Sequence, residues 1–242
     1  MHKINIPQRT IDRVIAARGR AHVFDNVNPR KTALLVIDLQ NAFMLDGVAP
    51  SPVPMAREIV PNVNRIAAAL RGTGGTVVWI KHTIDPKTAD EWSVFHDDLS
   101  VPEFKEARYS SMQKGTIGHE LWADLVVKPD DLTVTKSRFS AFIQGSSDLE
   151  QMLRQRGIDT VIVTGTITGT CCESTARDAM MRNFKVIMVS DANAARNDEE
   201  HNMALIAIYT KFGDLMMTDE LIEYLQRNGA AAQRQRQGAA VS

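Results

Sequence analysis

The sequence predicts an α/β protein, a three-layer α/β/α sandwich in which helices cover both faces of a mainly parallel sheet of about six strands. Two observations support this fold class. Segments such as 33–37 and 76–80 are apolar at consecutive positions, which is typical of strands that are buried on both faces. Segments with helical apolar spacing lie between such runs, and strands that alternate with helices form parallel sheets.

The composition excludes several classes of protein. The 242 residues include 28 Lys and Arg against 29 Asp and Glu, and 44% are hydrophobic. The small net charge argues against nucleic-acid or membrane partners, because proteins that bind them usually carry a basic face. No apolar run approaches the roughly 18 residues of a membrane span, and the first twenty residues lack the apolar block of a secretory signal. Two adjacent cysteines form no disulfide framework, so we expect a soluble protein of the reducing cytoplasm.

The first predicted elements are a strand, a helix and a second strand. The strand 33–37 ends at an aspartate, and the helix 56–70 follows a proline-rich loop. Its apolar residues fall on one stripe, and three glycines within 72–75 end it before the strand 76–80. A long irregular section, 82–128, comes next. Because loops of this length are usually functional, we expect it to form a lid that determines specificity.

The second half of the chain continues the alternation. Apolar runs predict further strands at 132–135, 160–164, 185–190 and 215–217. Helical apolar spacing between and after them predicts helices at 147–156, 171–182, 199–212 and 219–226. Residues 31–228 are therefore expected to form one domain.

The two ends differ from this domain in composition. Residues 1–30 form an N-terminal extension in which Ile11, Val14 and Ile15 have helical spacing. We favour a helix that packs on its own domain over an arm that packs on a second subunit. Residues 229–242 are almost only Ala, Gln, Arg and Gly, and we expect a disordered tail because they can bury little apolar surface.

A carboxylate, an ammonium and a thiol follow three of the predicted strands. Asp38 follows the first strand, Lys136 the third, and Cys171 comes a short loop after the fourth. Because the carboxyl ends of parallel strands meet at one edge, these side chains are expected to lie together. Taken singly, they are commonly a capping carboxylate, a solvated lysine and a core cysteine. Their shared edge favours a catalytic site.

The predicted surroundings of Cys171 favour a nucleophile. This residue begins a helix after a glycine-containing turn, where free N–H groups and the helix dipole stabilise an anion. The ammonium of Lys136 adds positive charge, and both effects lower the pKa of a thiol. Asp38 can then accept the thiol proton and return it to a leaving amine, provided that shielding raises its own pKa.

Three motifs in these regions resemble those of the isochorismatase-like cysteine hydrolases. They span about residues 30–226 in the family's order and are Asp38-x-Gln40-x-x-Phe43, Lys136 with Ser140-Ala141-Phe142, and Gly165-x-x-Thr168-x-x-Cys171 with Glu173-Ser174-Thr175. The resemblance implies a catalytic triad of Asp38, Lys136 and Cys171. It also implies a cis peptide between Thr166 and Ile167, and an oxyanion hole made by the backbone N–H groups of Ile167 and Cys171. Cys172 is expected to pack in the core.

Segments 136–142 and 171–178 look most similar to the ureidoacrylate and N-carbamoyl amidohydrolase branch. This similarity implies a hydrolase that uses water, and no cofactor, to cleave a C–N bond of a small ureido, carbamoyl or amide substrate through a thioester. Such a chain would be a homodimer or homotetramer. Zinc-dependent nicotinamidases carry Asp-x-His after the second strand, whereas this chain has Lys81-His82-Thr83. We therefore expect no metal, and His82, Gln40 and Phe43 are expected to contact substrate.

Two alternatives remain open at this point. The chain could cleave another bond, such as that of a ring amide or an ester, or it could be a non-catalytic binding protein with this fold. Isochorismatase chemistry on a vinyl ether is disfavoured, because those enzymes commonly lack the cysteine that stands here at Cys171.

Overall fold

Six strands form one sheet at the centre of the computed structural model, which describes residues 1–48, 50 and 52–239. Every neighbouring pair of strands is parallel, and their order is β3-β2-β1-β4-β5-β6. This arrangement confirms the predicted fold class. The strands are β1 (Thr32–Ile37), β2 (Thr76–His82), β3 (Leu132–Lys136), β4 (Thr160–Thr166), β5 (Lys185–Ala194) and β6 (Asp214–Met216).

Helices cover both faces of the sheet because alternate residues of each central strand point to opposite sides. The helices are α1 (Gln8–Arg18), α2 (Asn41–Met44), α3 (Met55–Glu58), α4 (Val60–Gly72), α5 (Pro86–Asp90), α6 (Pro102–Met112), α7 (Leu149–Gln155), α8 (Glu173–Met181), α9 (Asp198–Ala207) and α10 (Thr218–Ala239). In β1, Leu34 and Val36 join an apolar cluster with α4 and α10, while Leu35 and Ile37 join a second one with α7, α8 and α9.

The section between β2 and β3 is more regular than the sequence predicts. It contains α5 and α6, together with short helical turns at Val94–Asp98 and Ile117–His119. The helix α6 begins at a proline, exposes Phe104 and buries only Ser111 and Met112. It therefore lacks the apolar stripe from which a sequence predicts a helix.

The C-terminal segment also differs from its prediction. Where a disordered tail is predicted over 229–242, α10 continues to Ala239, and residues 240–242 lie outside the described residues. Extending a helix that is already anchored costs little, and Ala, Gln and Arg are good helix formers. The helix α10 packs against its own domain as far as Gly229, where a Cβ would lie only 2.7 Å from the methyl group of Thr73.

The N-terminal extension packs on its own chain. His2 lies 2.8 Å from an oxygen of Asp198, and Arg18 donates a hydrogen bond of 2.6 Å to the carbonyl of Tyr209. Between them, α1 buries Val14 and leaves Ile15 exposed. None of the helices in the described part of the chain combines the length and the hydrophobicity of a membrane-crossing segment.

Candidate active site

The candidate site lies where the strand order reverses, between β1 and β4. Asp38 directly follows β1 in the left-handed region, with a φ of 56°, and its N–H donates a 2.9 Å hydrogen bond to the carbonyl of Ile80. On the neighbouring strand, a Cβ at Gly165 would lie 2.0 Å from the carbonyl oxygen of Ile37. Glycine therefore permits the close approach of β4 beside the aspartate.

The ends of three strands bring the predicted triad together. Lys136 Nζ lies 2.9 Å from Asp38 Oδ2, and both side chains are 0% exposed. The same ammonium donates to Cys171 Sγ at 3.4 Å. The contact with Asp38 is an ion pair rather than an aligned hydrogen bond, and both carboxylate oxygens lack a hydrogen-bond partner among the described residues. They are thus free to accept a proton from a thiol.

Lys136 also influences the protonation and the tautomer of His82, its register partner on the neighbouring strand β2. The ammonium lies 3.2 Å from His82 Nδ1. Burial and, after it, the positive charge of Lys136 hold the pKa of His82 well below its usual value. The imidazole is therefore neutral, and because Nδ1 faces a donor, the hydrogen is on Nε2. That Nε2 is buried and has no partner in the described part of the chain.

Burial and charge set the remaining protonation states. Burial raises the pKa of Asp38, and the charge of Lys136 opposes this shift without cancelling it. Burial lowers the pKa of Lys136, but the attraction of Asp38 outweighs it, so that the net pKa is above that of an ordinary lysine. The ammonium of Lys136 thus lies beside the carboxyl group of Asp38, whose pKa is raised. A raised pKa suits a carboxyl group that both takes up and releases a proton.

The predicted lowering of the Cys171 pKa is wrong for the free protein. Burial raises the pKa of this thiol, and the negative charge of Asp38 raises it further; Lys136 opposes both without overcoming them. The lysine and the start of the helix, which lower the pKa of a thiol, could be recognised in the sequence, whereas the burial of Cys171, which raises it, could not. The resting site therefore holds a thiol next to an ion pair, and the thiol must lose its proton during the reaction.

The loop after β4 holds Cys171 in place. A cis peptide joins Thr166 and Ile167, and a helical turn, Thr168–Cys172, leads into α8. Thr168 opens this turn and its hydroxyl lies 2.9 Å from Nδ1 of His201, a buried histidine that no sequence motif marks. Cys172 is 0% exposed among apolar side chains, in the core position expected for it.

A cavity of about 370 Å³ opens onto Cys171. Its size suits a small organic molecule. His82 lines it, and the section between β2 and β3 contributes four more of the lining residues. The apolar walls include Phe43, Ile84, Phe95, Met112, Phe139 and Ile167. Phe139 and two arginines, Arg108 and Arg196, also line the cavity and are not predicted from the sequence.

Gln40 lies outside the cavity, contrary to its expected contact with substrate. Its carboxamide oxygen accepts a 2.7 Å hydrogen bond from the N–H of His82, and its NH₂ group donates to the carbonyls of His82 and His119 at 3.1 and 3.2 Å. The amide is fully occupied, so Gln40 fixes the end of β2 and with it the position of His82.

The site offers three potential metal ligands. One ligand atom each from Asp38, His82 and Cys171 lies within 4.8 Å of the others, and such a set suits zinc. However, Lys136 Nζ lies 2.9 to 3.4 Å from an atom of each of the three. Since an ammonium occupies the position of the cation, a metal could bind here only if Lys136 moved away.

Comparisons with known proteins show the family of this chain. Residues 32–220 match the family model of the isochorismatase domain. A protein of Arabidopsis thaliana named "Probable inactive nicotinamidase At3g16190" is 34% identical over 184 residues, which are 73% of this chain and 87% of the relative.

Two solved structures share the fold. A cysteine hydrolase from Pseudomonas syringae pv. phaseolicola 1448A is 27% identical with a TM-score of 0.72, over 84% of this chain and 96% of that one. The N-carbamoylsarcosine amidase from Thermoplasma acidophilum is 29% identical with a TM-score of 0.61, over 78% and 96%. The chain therefore belongs to the isochorismatase family and has the fold of its hydrolases.

Proposed function

We propose that the protein is a cysteine-dependent hydrolase that cleaves a C–N bond of a small ureido, carbamoyl or amide substrate. The observation that carries this proposal is the buried ammonium of Lys136, which contacts both Asp38 and the one thiol that lines the cavity among the described residues. The similarity to an N-carbamoylsarcosine amidase supports the choice of bond.

The first half of the reaction forms an acyl-enzyme. Cys171 Sγ attacks the carbonyl carbon while its proton passes to Asp38, whose raised pKa makes it a competent base. The charge on the carbonyl oxygen is stabilised by the backbone N–H groups of Ile167 and Cys171. The C–N bond then breaks, and Asp38 gives its proton to the leaving nitrogen. The ammonium of Lys136 stabilises the ionised form of Asp38 or of Cys171, because it contacts both side chains.

The second half returns the enzyme to its resting state. Water attacks the thioester, or the thiocarbamate that a ureide leaves, and Asp38 takes the proton of this water. The C–S bond breaks, the sulfur of Cys171 takes the proton back, and the acid departs. One carboxyl group thus serves both steps, and this dual role is favoured by a pKa raised toward the operating pH.

Ammonia release from a panel of ureides and primary amides tests the proposal. Cys171→Ala should reduce turnover at least about a thousandfold, whereas the matched variant Cys172→Ala should keep it, because Cys172 packs in the core. Intact mass should show an acyl adduct on wild-type protein and on Cys172→Ala, but not on Cys171→Ala. Full turnover by Cys171→Ala would contradict the proposed nucleophile. Absence of cleavage across the panel would favour a non-catalytic binding protein or a different bond.

A further inference from the structure

The cavity has two positive charges in its wall and no negative one. Arg108 on α6 and Arg196 after β5 both line it, and no Asp or Glu does so among the described residues. Since buried cations are usually paired, and Arg108 is partly buried, a cavity with this imbalance next to the thiol of Cys171 favours a negatively charged ligand.

Arg108 is the more constrained of the two arginines. Its guanidinium lies 4.5 Å from the ring centre of Phe95, and one terminal nitrogen donates a 2.6 Å hydrogen bond to the hydroxyl of Ser100. Its Nε is buried and has no hydrogen-bond partner in the described part of the chain. The guanidinium is therefore held in place by a ring and a hydroxyl, while part of its donor capacity stays unused.

The acidic groups near α6 are already paired with other cations. Asp97 accepts a hydrogen bond from Lys105, and Glu91 lies 3.8 Å from Arg138. Among the described residues, Arg108 has no carboxylate within ion-pair distance. A partly buried guanidinium without a counter-charge is costly, and a bound anion would remove this cost.

A second unused donor lines the same cavity. His82 is 4% exposed, and its Nε2 carries a hydrogen that no described residue accepts. His96, 2% exposed, likewise has an Nδ1 without a partner there.

We infer that the substrate of this site is an anionic ureide or amide, whose carboxylate is bound by Arg108 while its polar atoms near Cys171 accept from His82. The guanidinium supplies the fork of donors that a carboxylate matches. The apolar walls fit the short hydrocarbon link between the carboxylate and the scissile bond. This inference rests on the proposed function, and it makes Arg108 a residue that determines substrate specificity.

Pairs of substrates of the same chain length, one ending in a carboxylate and the other in a methyl group, test the inference. N-carbamoyl-β-alanine is compared with n-butylurea, and succinamic acid with pentanamide, by ammonia release. In each productive pair the acid should have a kcat/KM about 100-fold higher. Arg108→Gln should lower kcat/KM for the acid by about the same factor, largely through KM, and change that of the neutral partner less than about threefold.

Two further variants separate specificity from folding. Lys105→Gln removes the same charge from the same helix, but Lys105 does not line the cavity, so its kinetics should match wild type. Arg108→Lys keeps the charge without the fork and should recover part of the preference. Equal effects of Arg108→Gln on acid and neutral substrates would overturn the inference and leave the proposed hydrolase intact.

A binding measurement covers the case in which no panel member is cleaved. Calorimetry with glutarate as the probe should show binding to Cys171→Ala and none to the double variant Cys171→Ala/Arg108→Gln. Binding without cleavage would contradict the proposed function alone, and equal or absent binding in the two variants would overturn the inference.

Discussion

Replacing Lys136 with methionine removes the ammonium that lies 2.9 Å from Asp38 Oδ2, and it leaves the carboxyl group in the same buried position. Two unit charges at this distance attract each other by about 6 kcal/mol at an effective dielectric constant of about 20. Water cannot replace the lost charge, because both side chains are 0% exposed. The pKa of Asp38 should therefore rise further above its already raised value in the wild type.

The sign of the resulting pH dependence follows from proton uptake. At a pH between its unfolded-state and its raised folded-state pKa, Asp38 of Lys136→Met is protonated in the folded protein and ionised in the unfolded chain, so folding takes up one proton. The free energy of unfolding then falls as pH rises, by about 1.4 kcal/mol per pH unit. The fall begins near the unfolded-state pKa of aspartate, about 3.9, and ends at the raised pKa of the folded variant. In the wild type, the charge of Lys136 opposes the rise in the pKa of Asp38, so the free energy of unfolding stops falling at a lower pH.

Urea unfolding followed by tryptophan fluorescence between about pH 5 and 8 measures this slope. The matched control is Asp38→Asn/Lys136→Met, which also lacks the ammonium but has no proton to take up at position 38. Subtracting the two curves cancels the titration of all other groups. The difference should change by about 1.4 kcal/mol per pH unit. Parallel curves would refute the assignment of Lys136 as the counter-ion that keeps Asp38 ionised.

Two other predictions concern the thiol and the sheet. Because burial raises the pKa of Cys171, its alkylation by iodoacetamide, followed by intact mass, should be slow at neutral pH and accelerate with rising pH. A rate already at its plateau below neutral pH would contradict this. Gly165→Ala would place a Cβ 2.0 Å from Ile37 O and should lower the free energy of unfolding by about 4 kcal/mol or more. Gly157→Ala, with open space and a φ of 67°, should cost only about 1–2 kcal/mol, and equal losses would contradict the steric argument.

Part of the candidate site could be predicted because its residues directly follow strands. Asp38 and Lys136 are placed at the sheet edge by apolar runs that any strand buried on both faces must have. The use of Gln40 could not be predicted, since its amide bonds to His82 and His119, which are 42 and 79 residues away. Arg108 was missed for a related reason: it lies on a helix without an apolar stripe, and its position in the cavity wall depends on packing.

The order of the strands along the chain and the three candidate reactive groups that follow them could be predicted from the sequence alone, because local periodicity and chain order carry that information. The protonation of Cys171, the tautomer of His82 and the charge imbalance of the cavity were decided only by the tertiary structure. Each depends on burial and on charges that are distant in sequence, as in the contact between Lys136 and Cys171 across 35 residues. Desolvation and Coulomb energies vary with distances in space, and those distances exist only once the chain has folded.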